Sequence, residues 1–205
     1  MGDKVDLKKQ LDGYRARRGE FRLIELPVQR YLMIDGHGDP NTAEFAAAIE
    51  TIYPVAYALK FASKRELDRD YVVPPLEGLW SSPDPTVFTT ARDKSRWDWT
   101  LLNLVPEWVT DDLLGAAIAT VARRSAPARL DELREEALTE GLCVQTLHVG
   151  SFDEEGAVLA RLHDEFVPEH GLSLTGRHHE IYLSDFRKVA PENLRTILRQ
   201  PVRAR

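Results

Sequence analysis

The stretch Arg177-His178-His179-Glu180-Ile181-Tyr182-Leu183-Ser184-Asp185 holds the residue types best suited to chemistry in this chain. Its β-branched and aromatic residues, its alternation of side and its polar Ser-Asp stop predict a β-strand. At a period of two, His178, Glu180 and Tyr182 share one face, and His179, Ile181 and Leu183 share the other. The second face turns apolar from Ile181 and needs a core. The first sets a carboxylate between an imidazole and a phenol. An acidic side chain in mid-strand runs against propensity, so it either sits on a solvated face or is kept for a purpose. Inside a pocket, Glu180 would anchor a cation, or act as a base with its pKa raised by apolar neighbours.

The aromatic residues are concentrated. Trp80, Trp97, Trp99 and Trp108 fall close together, and Trp97, Trp99 and Leu101 share a strand face. Tyr53 and Tyr57 stand i, i+4 on one helix face, one ring above the other. Each of these residues taken singly is as well explained by core packing with a polar tip reaching a partner. Taken with Glu180 and Glu77, they read as an aromatic box with an acidic floor, which binds flat or cationic organic molecules by stacking and cation–π attraction. The candidate ligand-binding set is therefore Glu180, Tyr53, Tyr57, Trp80, Trp99, Tyr182, His148 and Glu77. If the pocket were catalytic, Glu180 would deprotonate a water, with Tyr57 or Tyr182 donating to the oxygen that gains charge.

Other chemistries find little footing. His178 and His179 point opposite ways and cannot chelate together, while His37, His148, His163 and His170 lack ligand spacing, so no metal is expected. There is no GxSxG elbow beside Ser184-Asp185, and Gly36-His37-Gly38 reads as a turn rather than a phosphate loop; no cofactor is expected. The lone Cys143 allows no internal disulfide and reads as an inert core residue. A net charge of −6 argues against a general nucleic-acid binder. Arg195, Arg199, Arg203 and Arg205 read as solubilising a terminal strand. The acidic segment Asp131 to Glu140 is the candidate for a protein-interaction surface, though it reads better as a solvated face. No apolar run is long enough to span a membrane and none follows Met1-Gly2-Asp3-Lys4, so a cytoplasmic protein is expected.

The 205 residues, 43% apolar, suit one domain with a real core. Residues 1–20 read as a short helix in a loosely held lead-in. Strands are expected at Phe21 to Leu26 and Arg30 to Asp35, then a helix from Asn41 or Thr42 to Lys64, kinked or restarted at Pro54. Further strands follow at Leu76 to Trp80, Val87 to Thr90 and Arg96 to Val105, with a helix from Thr110 to Arg124. Propensity predicts a helix from Leu130 to Glu140. A strand from Leu142 to Val149, a helix from Asp153 to His170, the Glu180 strand and a last strand from Leu194 to Val202 complete the chain. The order strand–helix–strand–strand thus occurs twice, in halves of about 21–125 and 126–205. It predicts an α+β fold with pseudo-twofold symmetry: a mostly antiparallel sheet, helices on one side, and a ligand cleft at the seam.

Several runs carry a resemblance: Tyr53-Pro54-Val55-Ala56-Tyr57-Ala58-Leu59-Lys60-Phe61, Asp70 to Trp80, Glu140 to Gln145 with His148-Val149-Gly150, and His178 to Asp185 with Ile197 to Val202. Together they resemble the stand-alone GyrI-like small-molecule-binding proteins, over about Asp3 to Val202. The resemblance implies the tandem half-domain fold shared with effector domains of multidrug-responsive activators, where a buried glutamate in an aromatic pocket receives lipophilic cations; Glu180 holds the matching position. It also implies an alternative, since some relatives are hydrolases that open the cyclopropane of DNA-alkylating natural products. The chain lacks the activators' helix-turn-helix. It also carries Ser81 after Trp80, where many relatives have a second Trp.

Overall fold

The structure, a computed structural model, describes residues 4–84 and 93–205. The expected strand at Val87 to Thr90 lies outside the described residues. Nine strands form one mostly antiparallel sheet among the described residues. These are β1 (Arg22–Leu26), β2 (Gln29–His37), β3 (Glu77–Ser81), β4 (Asp98–Val105), β5 (Arg134–Leu138), β6 (Gly141–Val149), β7 (Leu172–Leu174), β8 (His178–Tyr182) and β9 (Arg195–Ala204). The sheet order is β1-β6-β9-β8-β3-β4-β2-β5, with β7 paired to β9. About the central β3–β8 pair the order is symmetric: β4 and β2 lie outside β3 as β9 and β6 lie outside β8. The flanking strands are exchanged. β1, which leads the first half, pairs with β6 of the second, and β5, which leads the second, pairs with β2 of the first.

Helices cover one face of the sheet. α2 (Ala43–Glu66) buries Phe45, Ile49, Ile52, Val55, Ala56 and Leu59, a spacing that gives a helix one apolar stripe. It runs unbroken through Pro54, so the expected kink does not end an element there. α3 (Asp111–Arg124) starts at Thr110, whose hydroxyl accepts from the Leu113 amide at 3.3 Å. Its two acids in the first turn and two arginines in the last match the helix dipole. Both helices pack Leu32 and Val105 of the sheet into one core. In the second half, α4 (Glu155–Ala160) passes through a π-turn at Arg161–Phe166 into α5 (Val167–Glu169), and Gly171 at φ +63° ends the run.

The opposite face is covered by the N-terminal segment. The expected short helix is α1 (Leu7–Gln10), but the segment around it is firmly held. Leu7 and Tyr14 enter a core with Met33, Leu79, Leu102 and Ile181, and Val5 bridges to Tyr71.

One element is of the other type. Leu130 to Glu140, expected as helix, holds only a single 3₁₀ turn at Leu130–Glu132 before becoming β5. Its charged residues suit an exposed edge strand, and pairing along β2 outweighs its helical propensity. Cys143 is fully buried, and burial pushes its thiol up to about 12. No helix among the described residues is long and apolar enough to cross a membrane.

Candidate functional site

On the helix-covered face, near the central strand pair, lies a cavity of about 150 Å³. Glu180 and Tyr182 reach it from β8 and Trp80 from β3, because the register Gly78↔Glu180 and Trp80↔His178 puts these side chains on one face. The rest of the wall comes from outside the strands. Phe45 stands in the first turns of α2, Trp97 precedes β4, Phe152 and Glu155 flank the start of α4, and Phe186 follows β8.

The polar floor is a chain of hydrogen bonds. Trp80 Nε1 donates to the Tyr182 hydroxyl at 3.1 Å, and that hydroxyl donates to Glu180 Oε2 at 2.8 Å. Tyr182 is buried, and burial and the charge of Glu180 push its phenol well above its usual range, so it stays a donor. His178 Nε2 lies 3.5 Å from Glu180 Oε1. Glu155, also buried, lines the same cavity as Glu180; burial and then the charge of Glu180 raise its pKa well above the carboxylate range. The aromatic walls brace one another, with Trp80 edge-on to Trp97 at 5.6 Å and Phe152 edge-on to Tyr182 at 5.7 Å.

The eight candidate residues divide. Glu180, Tyr182 and Trp80 meet in this cavity. Trp99 lies on the same face but one layer back. It packs edge-on against Phe45 at 5.0 Å, under the Arg129 guanidinium and over Gly36, where a Cβ would lie 2.1 Å from the indole. His148 also shares the face, yet its ring is held 3.0 Å from the Ser151 carbonyl, outside the lining. Tyr53 and Tyr57 belong to a second cavity of about 190 Å³ beside α2, with Asp185 and Arg187. Tyr182 and Phe186 line both spaces and so form the wall between them.

Glu77 is on the opposite face. Its partner is Ile181, not Glu180, so it shares the parity of His179. There it accepts from the Tyr14 hydroxyl at 2.5 Å and lies 2.9 Å from His179 Nε2, while His179 Nδ1 is 2.9 Å from Glu140. Arg199 donates to Glu140 at 2.9 Å, to Gln145 at 3.0 Å and to the Gly13 carbonyl at 2.7 Å. Both ring nitrogens of His179 face carboxylates, so it is an imidazolium. Two anions and two cations then balance in the core, and Glu77 is occupied structurally.

Phe45, Trp97, Phe152, Glu155 and Phe186 complete the site without having been in the candidate set. Two helix N-termini and three connecting segments supply them, and no periodicity in the chain marks residues of separate segments that converge in space. For Trp97 the clue was available, since it alternates with Trp99.

A model of the GyrI-like small molecule binding domain matches residues 19–203, and the chain belongs to that family. An uncharacterized conserved protein of Listeria innocua is similar in structure, with 38% identity, a TM-score of 0.88, and coverage of 98% of this chain and 100% of that one. A protein of Listeria innocua described as a hydrolase is 36% identical, with a TM-score of 0.84 and the same coverages. The EcmrR C-terminal domain shares the fold at 13% identity, with a TM-score of 0.58 over 91% of this chain and 98% of that one. No curated protein matches the chain significantly.

Proposed function

We propose that the Glu180 cavity binds planar aromatic small molecules and favours amphipathic cations. The observation that carries this reading is a carboxylate set by the Tyr182 hydroxyl on the floor of a space walled by Phe45, Trp80, Trp97, Phe152 and Phe186. A carboxylate withdrawn from water is costly until a cation neutralises it. Aromatic faces add cation–π attraction and accept many ring systems, so selectivity is for shape class and charge rather than for one compound.

The test is a fluorescence titration with ethidium, a planar monocation, and with phenanthridine, its neutral ring system. In Glu180→Gln, which keeps shape and removes charge, ethidium binding is expected to weaken by ~1–3 kcal/mol, the range for a charged hydrogen bond. Phenanthridine should bind as before. Equal affinity of both proteins for ethidium overturns the reading.

Hydrolysis in the same cavity is a second reading, favoured by the unequal carboxyl pair Glu155/Glu180 and by the Listeria innocua relative described as a hydrolase. Two acids whose environments separate their protonation are a recurrent acid–base device. Glu180 would take a proton from water while the oxygen bonds to a strained cyclopropane carbon. The ring C–C bond would break toward a conjugated carbonyl, whose oxygen takes up a proton; the net change is addition of one water. Mass spectrometry on a cyclopropane-bearing alkylator should show a product heavier by one water with wild type and none with Glu180→Gln. Absence of that product with wild type rejects turnover but leaves binding standing.

A further inference from the structure

We infer that Glu155 is a specificity-determining partner of Glu180: it stays a carboxylic acid, donates its proton to Glu180 as a hydrogen bond, and leaves the cavity floor with one negative charge shared by two side chains. The site is thereby matched to a ligand with a single positive charge. This inference rests on the binding reading above and specifies its charge.

The geometry is that of two carboxyl groups in one small space. Glu155, at the start of α4, lines the cavity with Glu180 and is 5% exposed. Its carboxyl shares that cavity with Glu180, and its Oε1 has no hydrogen-bond partner among the described residues. It makes no ion pair among the described residues. An ionised carboxylate in that setting would be buried, unneutralised, short of donors and beside a second anion. A carboxylic acid there satisfies its one donor on Glu180 and needs no counter-charge. Two carboxylates in one small, largely buried space do not both ionise, so one group keeps its proton.

The neighbours decide which group that is. Glu180 accepts from the Tyr182 hydroxyl and has His178 at 3.5 Å, both from β8. Around Glu155 the acids outweigh the Thr196 hydroxyl, which favours ionisation: Glu180 itself works against a charge there, as does Asp153 in the turn before α4. Lys94, across the cavity, lies 3.8 Å from Asp153 and offsets that charge at the rim. His148 on β6 is turned to Ser151, and Glu154 is held by the Ser151 amide and hydroxyl. Glu180 is thus the anion and Glu155 the donor that, with Tyr182, holds it in place.

Glutamine imitates a protonated glutamate, since its NH₂ donates and its carbonyl accepts. The two neighbouring glutamates should therefore respond differently to one substitution. At neutral pH, Glu155→Gln should bind ethidium within about twofold of wild type, while Glu180→Gln should lose roughly tenfold. Glu155→Leu, lacking the donor, should also lose affinity, so that Gln rescues what Leu removes. Infrared spectra should show a protonated carboxylic acid C=O band in wild type at neutral pH that Glu155→Gln lacks. If Glu155→Gln weakens ethidium as much as Glu180→Gln does, or the band is missing from wild type, the inference is overturned. If wild type binds neither ethidium nor phenanthridine, the binding reading and the charge match both fail, while the band still decides the shared proton. Should Glu155→Leu fail to fold, the Gln variant and the band decide.

Discussion

Gly78 stands opposite Glu180 in the β3–β8 pair, and a Cβ there would meet the Tyr182 hydroxyl at 2.8 Å and Trp80 Nε1 at 3.0 Å. The missing side chain is what lets indole, phenol and carboxylate line up. Gly78→Ala should push the Tyr182 hydroxyl off Glu180 and cost ~1–3 kcal/mol of stability, as overpacking does. Ethidium affinity should fall with it, and chemical denaturation and titration of the same sample would measure both. An unchanged affinity would mean that Tyr182 does not set the Glu180 carboxylate. At this scale the chain was partly legible. Alternation within one strand correctly separated Glu180 and Tyr182 from His179 and Ile181. It could not relate Glu77 to Glu180, because parity across strands depends on register, and one step of register sends Glu77 to the other face.

Between elements, the ion network around His179 joins β3, β8, β9 and the residue before β6 beneath the N-terminal segment. Burial alone would raise the Glu140 carboxyl, but His179 and Arg199 overcome it and hold it at about 2, against 4.5 ordinarily. Its contribution to stability is thus present above about pH 4.5 and is lost as pH falls towards 2. His179 runs the other way. Burial opposes its charge, Glu140 and then Glu77 overcome that, and its pKa is raised above 6.5. Its contribution is complete below that value and is lost as pH rises through the raised one. Stability should therefore peak in the weakly acidic range. Glu140→Gln should cost ~3–5 kcal/mol, the usual penalty for breaking a buried pair, and flatten the acid limb. Denaturation midpoints across pH would check this, and an acid limb unchanged in the variant would contradict it. The elements were legible wherever local signals agreed with the pairing, as at Thr110 and in the apolar stripe of α2. They were not at β5, where Leu130 to Glu140 has helical composition and only β2, distant in sequence, makes its tail a strand.

Across the whole molecule, the doubled element order does more than repeat. Because β1 and β5 are exchanged, each half closes the other's outer edge, and neither half presents a finished sheet alone. The sheet is then covered twice, by helices over the cavity face and by residues before β1 over the face that holds the ion network. This second cover was the part least legible in the sequence. Its Lys, Arg and Asp content reads as a solvated lead-in, and its apolar members are few and widely spaced. Yet Leu7 and Tyr14 are buried, the Tyr14 hydroxyl and the Gly13 carbonyl serve Glu77 and Arg199, and Gln145 donates to the Arg15 carbonyl at 2.9 Å. The family match begins only at residue 19, so this cover is additional to the matched region. A chain beginning at residue 19 should lose the burial of Leu7 and Tyr14, worth about 3–6 kcal/mol together, and strand the charges of Glu77 and Arg199 short of donors and acceptors. The expected result is a lower denaturation midpoint, with a hydrophobic-dye signal from the uncovered Met33, Leu79 and Leu102. Leu7→Ala with Tyr14→Phe in the full chain should move the midpoint the same way by less. If the shortened chain unfolds at the same denaturant concentration as the full one, the N-terminal segment is no structural cover.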